Sequence, residues 1–115
     1  MKLPNVDAAV IDLDKLRNYS LNPQHPRGKH KARLFAAILG LSAEDAELLQ
    51  SYIRQAIQTH RAIPTLHDEY GQRFIVDFPL THNTATATVR TAWNIRPTEP
   101  FPRLVSCYIV RSPNG

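Results

Sequence analysis

The stretch Arg73-Phe74-Ile75-Val76-Asp77-Phe78-Pro79 has a large apolar side chain at every second position. Alternation with a period of two is typical of a β-strand that buries one face against a core. The side chains predicted to face the core are Phe74, Val76 and Phe78. The side chains predicted on the opposite face are Arg73, Ile75 and Asp77.

The same period continues on both sides of this stretch and predicts four strands, over residues 63–67, 73–79, 84–95 and 104–110. Turn-forming residues separate the strands at 70–71, 82–83 and 97–102. Because the connections between consecutive strands are short, the sequence favours an antiparallel meander.

The two later strands also have a predicted core face. In the third strand the apolar set is Ala85, Ala87, Val89, Trp93 and Ile95. In the last strand the inward set is Val105, Cys107 and Ile109, with Leu104, Ser106 and Tyr108 facing away. The open face would then carry Arg73, Asp77, Thr86, Thr88, Arg90, Asn94, Ser106 and Tyr108. Such a face is also typical of the solvated side of a one-sided sheet.

Before residue 62 the apolar residues recur at helical spacing, and helices are predicted over residues 12–19, 29–39 and 42–59. Asp12 is the expected N-cap of the first helix. Ser42 and Asp45 resemble a capping box at the start of the third. The predicted core residues of the helices are Leu13, Leu16, Leu34, Phe35, Ile38, Leu39, Ala46, Leu49, Ile53 and Ala56.

Between the first two helices, the dipeptides Asn22-Pro23 and His25-Pro26 interrupt helical structure, because the residue before a proline is pushed out of the helical region. Gly28 is expected to allow a positive φ there, and Gly40 is expected to cap the second helix.

These elements predict an α+β fold in which about three N-terminal helices pack on one face of a four-stranded antiparallel sheet. The 115 residues are enough for one domain with its own core, so a single domain over 1–115 is expected, with a helical half over 1–61 and a sheet half over 62–112.

The composition excludes several classes of protein. One cysteine cannot form an internal disulfide or a cysteine-rich zinc site, and the five histidines lack metal-binding spacing. Four glycines supply neither a phosphate-binding loop nor a dinucleotide fingerprint. No signal peptide or membrane-spanning run is present, so we expect a cytoplasmic protein without metal, cofactor or membrane partner.

The basic charge is concentrated in one segment. The formal net charge is +4, and six basic or imidazole side chains lie between His25 and Arg33, against three acids between residues 42 and 48. This segment begins the second helix, where cations oppose the helix dipole and a bound phosphate would relieve the mismatch. It therefore indicates an anionic partner such as RNA.

Metal-independent RNA cleavage fits the remaining side chains. The reaction needs a base, an acid and cations that stabilise the charged phosphorane. His30 can move a proton near neutral pH, and Tyr108 can donate one or position a group. The cations available for phosphate are Lys31, Arg33, Arg90 and Arg103. No spacing rule selects these residues over others.

Four motifs resemble the signature of the bacterial family DUF6883. They are Leu21-Asn22-Pro23-x-His25-Pro26-x-Gly28-x-x-Lys31-Ala32-Arg33-x-Phe35, Asp68-Glu69-Tyr70-Gly71-Gln72-Arg73-x-x-Val76-Asp77, Thr88-Val89-Arg90-Thr91-x-Trp93 and Phe101-Pro102-Arg103-Leu104-x-Ser106-x-Tyr108. The match covers nearly the whole chain. Similar domains occur as small proteins and at the C-termini of toxin-like proteins, and the element order is similar to that of the barnase–EndoU–colicin–RelE group of RNases.

The resemblance implies an RNase-like toxin domain with a cleft between helix and sheet. It places His30 and Lys31 opposite Arg90, Ser106 and Tyr108. The residues expected to act in catalysis are thus His30, Lys31, Arg90, Ser106 and Tyr108, and those expected to bind substrate are His25, Lys29, Arg33, Arg73, Thr88 and Arg103. The expected partners are RNA and a cognate immunity or antitoxin protein.

Two alternatives stay open. In the first, the chain is a non-catalytic module that binds RNA or a small protein through the basic loop, and His25 and Pro26 shape that loop. In the second, the motifs are structural: the prolines stiffen a loop, Trp93 belongs to the core, and Asp77 pairs with Arg73 or Arg90.

Overall fold

A computed structural model of the chain describes residues 1–110, and these form three helices followed by a four-stranded sheet. After a 3₁₀ turn over Val6–Ala8, helix α1 spans Leu13–Lys15 and continues as a π-helical turn over Leu16–Ser20. Helix α2 spans Lys29–Leu34 and continues in the same way over Phe35–Leu39. A 3₁₀ turn over Ala43–Asp45 leads into helix α3, Ala46–Ala56.

The strands are β1 (Ala62–Asp68), β2 (Gly71–His82), β3 (Ala85–Ile95) and β4 (Arg103–Val110), and they pair in the order β1-β2-β3-β4. All three pairings are antiparallel, so the predicted meander is confirmed. The α+β class is confirmed as well. The end of the predicted sheet half, residues 111–112, lies outside the described residues.

The predicted helix ends follow from local chemistry. The Asp12 side chain accepts a hydrogen bond from the Asp14 N–H at 2.9 Å, and the Asp45 carboxylate accepts one from the Ser42 N–H at 2.9 Å. These bonds satisfy amide groups that have no partner inside a helix. Gly40 ends the second helix in the left-handed region, with φ 68°.

One face of the sheet packs against the helices. The π-helical turn of the second helix lies on β3, while α2 and the turn of the first helix lie on β4. Phe74, Val76 and Phe78 are buried in this core, as the alternation predicts. The other large core side chains include Leu16, Leu21, Phe35, Leu39, Leu41, Leu49, Ile53, Ile57, Leu80, Val89, Trp93 and Ile109.

The predicted faces at the start of β4 are wrong. Ala92 pairs with Ser106 but Trp93 pairs with Leu104, so a β-bulge inserts Val105 without a partner. Leu104 is therefore buried (3% exposed) and Val105 is exposed (49%), the reverse of the alternation. Beyond the bulge, Cys107 and Ile109 face the core and Ser106 faces away, as predicted.

The other differences between the predicted and the observed structure are local. Thr91, absent from the predicted core, is fully buried on the core face of β3. The β2–β3 turn is centred on Asn83, with φ 56°, and Thr84, one residue later than predicted. Helix α3 ends at Ala56, three residues earlier than predicted. No described helix has the length and apolar character needed to span a membrane.

Candidate functional site

The basic loop before α2 is held in shape by its own side chains. Nδ1 of His25 accepts hydrogen bonds from the backbone N–H groups of Arg27 and Gly28, both at 3.1 Å. The His25 ring also packs on Tyr19, with ring centroids 4.4 Å apart. Since Nδ1 acts as an acceptor, the neutral ring carries its proton on Nε2. His25 thus shapes the loop, whatever else it does.

Gly28 is needed in this loop for space. Its φ is −94°, so the expected positive φ is wrong. A Cβ atom at this position would lie 2.6 Å from the backbone oxygen of Tyr19. The close approach of the loop to the first helix sets the position at which α2 begins.

The first turn of α2 presents its cations and His30 to solvent. His30 and Arg33 are exposed, and Lys29 is half-buried. Within residues 1–110, none of the three has an ion pair with a carboxylate. The structure gives no contact that joins His30 to Tyr108 or Arg90.

Lys31 connects this helix to the sheet. Its Nζ lies over the ring of Tyr108, 4.4 Å from the ring centroid, in a cation–π contact. Tyr108 is on β4, the edge strand against which α2 packs, so the lysine reaches across that edge to a side chain of the open face. The helix docking therefore brings together two residues predicted for the site.

Arg90 adds a second cation beside Tyr108. Arg90 is the direct cross-strand partner of Tyr108 on one side and of Asp77 on the other. Its Nε and Nη2 donate to the two carboxylate oxygens of Asp77, both at 2.9 Å. The hydrogen bonds to Asp77 raise the pKa of Arg90, so its charge is permanent.

We call Lys31, Asp77, Arg90 and Tyr108 the Tyr108 cluster. It contains two cations, one carboxylate and a phenol, and the three strands that carry Asp77, Arg90 and Tyr108 pair regularly at these positions. The Lys31 ammonium has no carboxylate partner among the described residues. Such an arrangement can hold an anion next to a hydroxyl that is able to transfer a proton.

The other predicted site residues lie around this cluster or away from it. Ser106 is half-buried and opposite Ala92, one cross-strand row from Tyr108, while Thr88 is exposed one row to the other side. Arg103 is at the far end of β4, and its Nε and Nη2 donate to both carboxylate oxygens of Glu99 at 2.8 Å. Arg73 lies 3.8 Å from Asp68. These two arginines are not part of the cluster.

Asp77 was missing from the predicted site, although the alternation had placed it on the open face. Its pairing with Arg90 was foreseen only under the structural alternative. The signal that could have found it is the cross-strand register, since a two-residue turn at 83–84 places Asp77 directly opposite Arg90.

The one cysteine, Cys107, is buried in the core. Burial raises the pKa of Cys107 to about 12, so its thiol stays protonated and is a poor nucleophile. Within residues 1–110 there is no group of three or more His, Cys, Asp or Glu side chains that could hold a metal ion.

Comparison with protein families gives one match over nearly the whole chain. The family model described as "Domain of unknown function (DUF6883)" matches residues 2–111. No curated protein matches the chain.

A solved structure has the same fold. It is a chain of the contact-dependent growth inhibition toxin–immunity protein complex from Klebsiella pneumoniae 342, with a TM-score of 0.64 and 14% sequence identity. The match covers 88% of this chain and 99% of that one.

Proposed function

This chain belongs to the DUF6883 family, and from that premise we propose that it is a metal-independent endoribonuclease domain of a bacterial toxin–immunity system. The similarity of its fold to a chain of a toxin–immunity complex supports the association with such a system. Its expected protein partner is a cognate immunity or antitoxin protein, and its expected place of action is the cytoplasm, where RNA is the abundant polyanion.

The observation that carries the proposal is the convergence of Lys31 and Arg90 on Tyr108. Cleavage through the 2′-oxygen of RNA requires proton removal from that oxygen, proton delivery to the leaving oxygen, and stabilisation of the charged phosphorane between them. In our proposal Lys31 and Arg90 hold the phosphate, and the phenol of Tyr108 transfers a proton. Asp77 fixes the guanidinium of Arg90, so the cation needs no reorganisation when substrate arrives.

His30 and Ser106 complete the proposed site. His30 is exposed in the first turn of α2, adjacent in sequence to Lys31, and is the proposed second proton-transfer group. Ser106 is half-buried beside the cluster and would position the substrate. The proposed contacts along the RNA backbone are His25, Lys29, Arg33, Arg73, Thr88 and Arg103.

We would test this by incubating the purified protein with total tRNA and ribosomal RNA in EDTA. The wild type should give discrete products. Tyr108→Phe and His30→Ala should each lower the rate by about 10²–10⁴-fold, and Arg90→Ala by about 10²–10³-fold. Arg61→Ala is the matched control, because it removes an exposed cation next to β1, at the other edge of the sheet.

The outcomes separate cleanly. Loss of products in the three variants, with the control unchanged and all proteins folded by circular dichroism, would establish the proposed site. Intact RNA with folded wild-type protein would overturn the proposed activity. Equal activity in all variants would mean that cleavage comes from another site or from a contaminant.

The basic loop before α2 also favours a second function, that of a non-catalytic binding module. Lys29 and Arg33 have no carboxylate partner within residues 1–110, and His25 shapes the loop that precedes them, as expected of a non-catalytic module that binds through its basic loop. That module would bind RNA with an affinity that falls as salt rises, each phosphate contact adding to the slope, and would form no product. A fluorescence anisotropy titration over a range of salt concentrations, run beside the cleavage assay, distinguishes the two.

A further inference from the structure

The open face of the sheet contains a cavity that the Tyr108 cluster does not use. Its volume is about 380 Å³, and the outward-facing side chains that line it are Thr65, Arg73, Ile75, Ala92, Asn94 and Val105. The floor is formed by Ile75 and Ala92, which are direct cross-strand partners. Val105, the bulged residue of β4, forms one wall and is half exposed.

The cavity is the immediate neighbour of the cluster. The row formed by Ile75, Ala92 and Ser106 follows the row formed by Asp77, Arg90 and Tyr108. Two residues along a strand span roughly 7 Å. A nucleotide whose phosphate lies at Lys31 and Arg90 would therefore place its base over the floor of the cavity.

The lining has the chemistry of a nucleobase site. Base recognition in single-stranded nucleic acid combines stacking on aromatic side chains, apolar side chains or Arg guanidinium planes with a few polar contacts to the base edge. The cavity offers an apolar floor, the Arg73 guanidinium and the Thr65 hydroxyl at its rim, and no acidic side chain among its described lining residues. The ion pair of Arg73 with Asp68 is long, at 3.8 Å, and leaves the arginine partly exposed.

We infer that this cavity binds a nucleobase of an RNA strand whose phosphate is held by Lys31 and Arg90. This inference rests on the proposed function, because it assumes that RNA occupies the Tyr108 cluster. Ala92 is the specificity-determining position, since its small side chain leaves the floor open.

Charge favours RNA over a second copy of the chain as the occupant. Two copies that met through this face would each bring a net charge of +4 and the basic segment near the same edge. A polyanion with apolar rings matches both the cations and the apolar floor.

The test compares two uncleavable probes in a binding titration by fluorescence anisotropy. One is a short 2′-O-methyl RNA, and the other is an abasic 2′-O-methyl ribose-phosphate chain of equal length. The wild type should bind the base-bearing probe about tenfold more tightly, as one base contact predicts. Ala92→Leu, which fills the cavity, should abolish that preference without changing binding of the abasic probe.

Two further variants keep the result interpretable. Ala36→Leu, the same change at an exposed helical position, should retain the full preference. Val105→Ser, which keeps a small side chain but removes apolar surface, should lower the preference in part. Thermal unfolding of each variant confirms that the fold is intact.

Every outcome decides the inference. Equal binding of both probes by the wild type, or an unchanged preference in Ala92→Leu, would overturn the nucleobase site. A wild-type dimer that Ala92→Leu converts to a monomer in sedimentation would overturn it in favour of a second copy.

Cleavage of unmodified RNA is measured separately. A base preference without cleavage would support the nucleobase site and overturn the proposed activity. Cleavage without a base preference would support the activity and overturn the nucleobase site.

Discussion

Thr91 is a fully buried hydroxyl on the core face of β3, and it uses both of its hydrogen-bonding roles. Its Oγ1 donates to the backbone oxygen of Val76 at 2.8 Å and accepts from Nε1 of Trp93 at 2.8 Å. The largest core side chain thereby has its one polar atom satisfied. A threonine in a strand pattern is ordinarily a surface residue, and its role here could be recognised only from the position of Trp93 two residues later.

Removing this hydroxyl should lower the stability of the folded protein. Thr91→Val keeps the shape but leaves the indole N–H of Trp93 without a partner, so we expect a loss of about 1–3 kcal/mol in the free energy of unfolding. Thr88→Val on the same strand is exposed and should stay within about 0.5 kcal/mol of the wild type. Urea unfolding followed by tryptophan fluorescence measures both. Similar stabilities for the two variants would contradict the buried network.

Among the strands, the start of β4 shows where sequence alternation fails. Leu104 and Val105 are both aliphatic and strand-forming, so their chemistry does not indicate which of them faces the core. The bulge determines which of the two faces the core, because Val105 is an extra residue with no partner opposite Ala92 or Trp93. Alternation alone assumes an unbroken ladder, and it therefore assigned the two residues to the wrong faces.

This assignment can be tested by truncating the two neighbours. Leu104→Ala should lose about 2–5 kcal/mol in the free energy of unfolding, because it opens a cavity under Trp93. Val105→Ala should change it by less than about 0.5 kcal/mol, because the residue is half exposed. Urea titration of both proteins gives the comparison. The opposite order of stability would mean that β4 is paired without the bulge.

The helices, the four strands and their order were predictable because each rests on local chemistry: the cap at Asp12, the glycine at 40, and the period-two pattern of β2. Half of the candidate site was predictable in the same way, since alternation puts Arg90 and Tyr108 on one face. The placement of Lys31 opposite Tyr108 was expected only from the family resemblance, because it depends on the docking of α2 on β4. Docking is set by space at Gly28 and by core packing, and neither has a local sequence signal.

The N-terminal segment connects the helical half of the molecule to the sheet. Val10 bridges Arg103 in parallel, with its N–H donating to Pro102 and its oxygen accepting from Leu104, both at 2.9 Å. Asn5 also donates to the backbone oxygen of Pro100. The β3–β4 loop that receives these bonds is itself fixed by the ion pair of Arg103 with Glu99. The loop thus connects the chain's beginning to the edge of the sheet.

This ion pair should make part of the stability depend on pH. The hydrogen bonds from Arg103 lower the pKa of Glu99 below its ordinary value of 4.5. A carboxyl group whose pKa is lower in the folded state contributes stability above the unfolded pKa, and that contribution is lost as the pH falls through the folded value. We therefore expect the wild type to be more stable than Glu99→Gln at neutral pH, with the difference shrinking below pH 4.5.

Urea unfolding of both proteins, from neutral pH to about pH 3, measures this difference. Glu69→Gln is the matched control, because Glu69 is exposed and has no ion pair among the described residues, and its difference from the wild type should not vary in the same range. A difference for Glu99→Gln that stays constant with pH would show that the loop is held by its backbone bonds to the N-terminal segment. The ion pair of Arg103 with Glu99 would then be a result of the loop conformation and would not stabilise it.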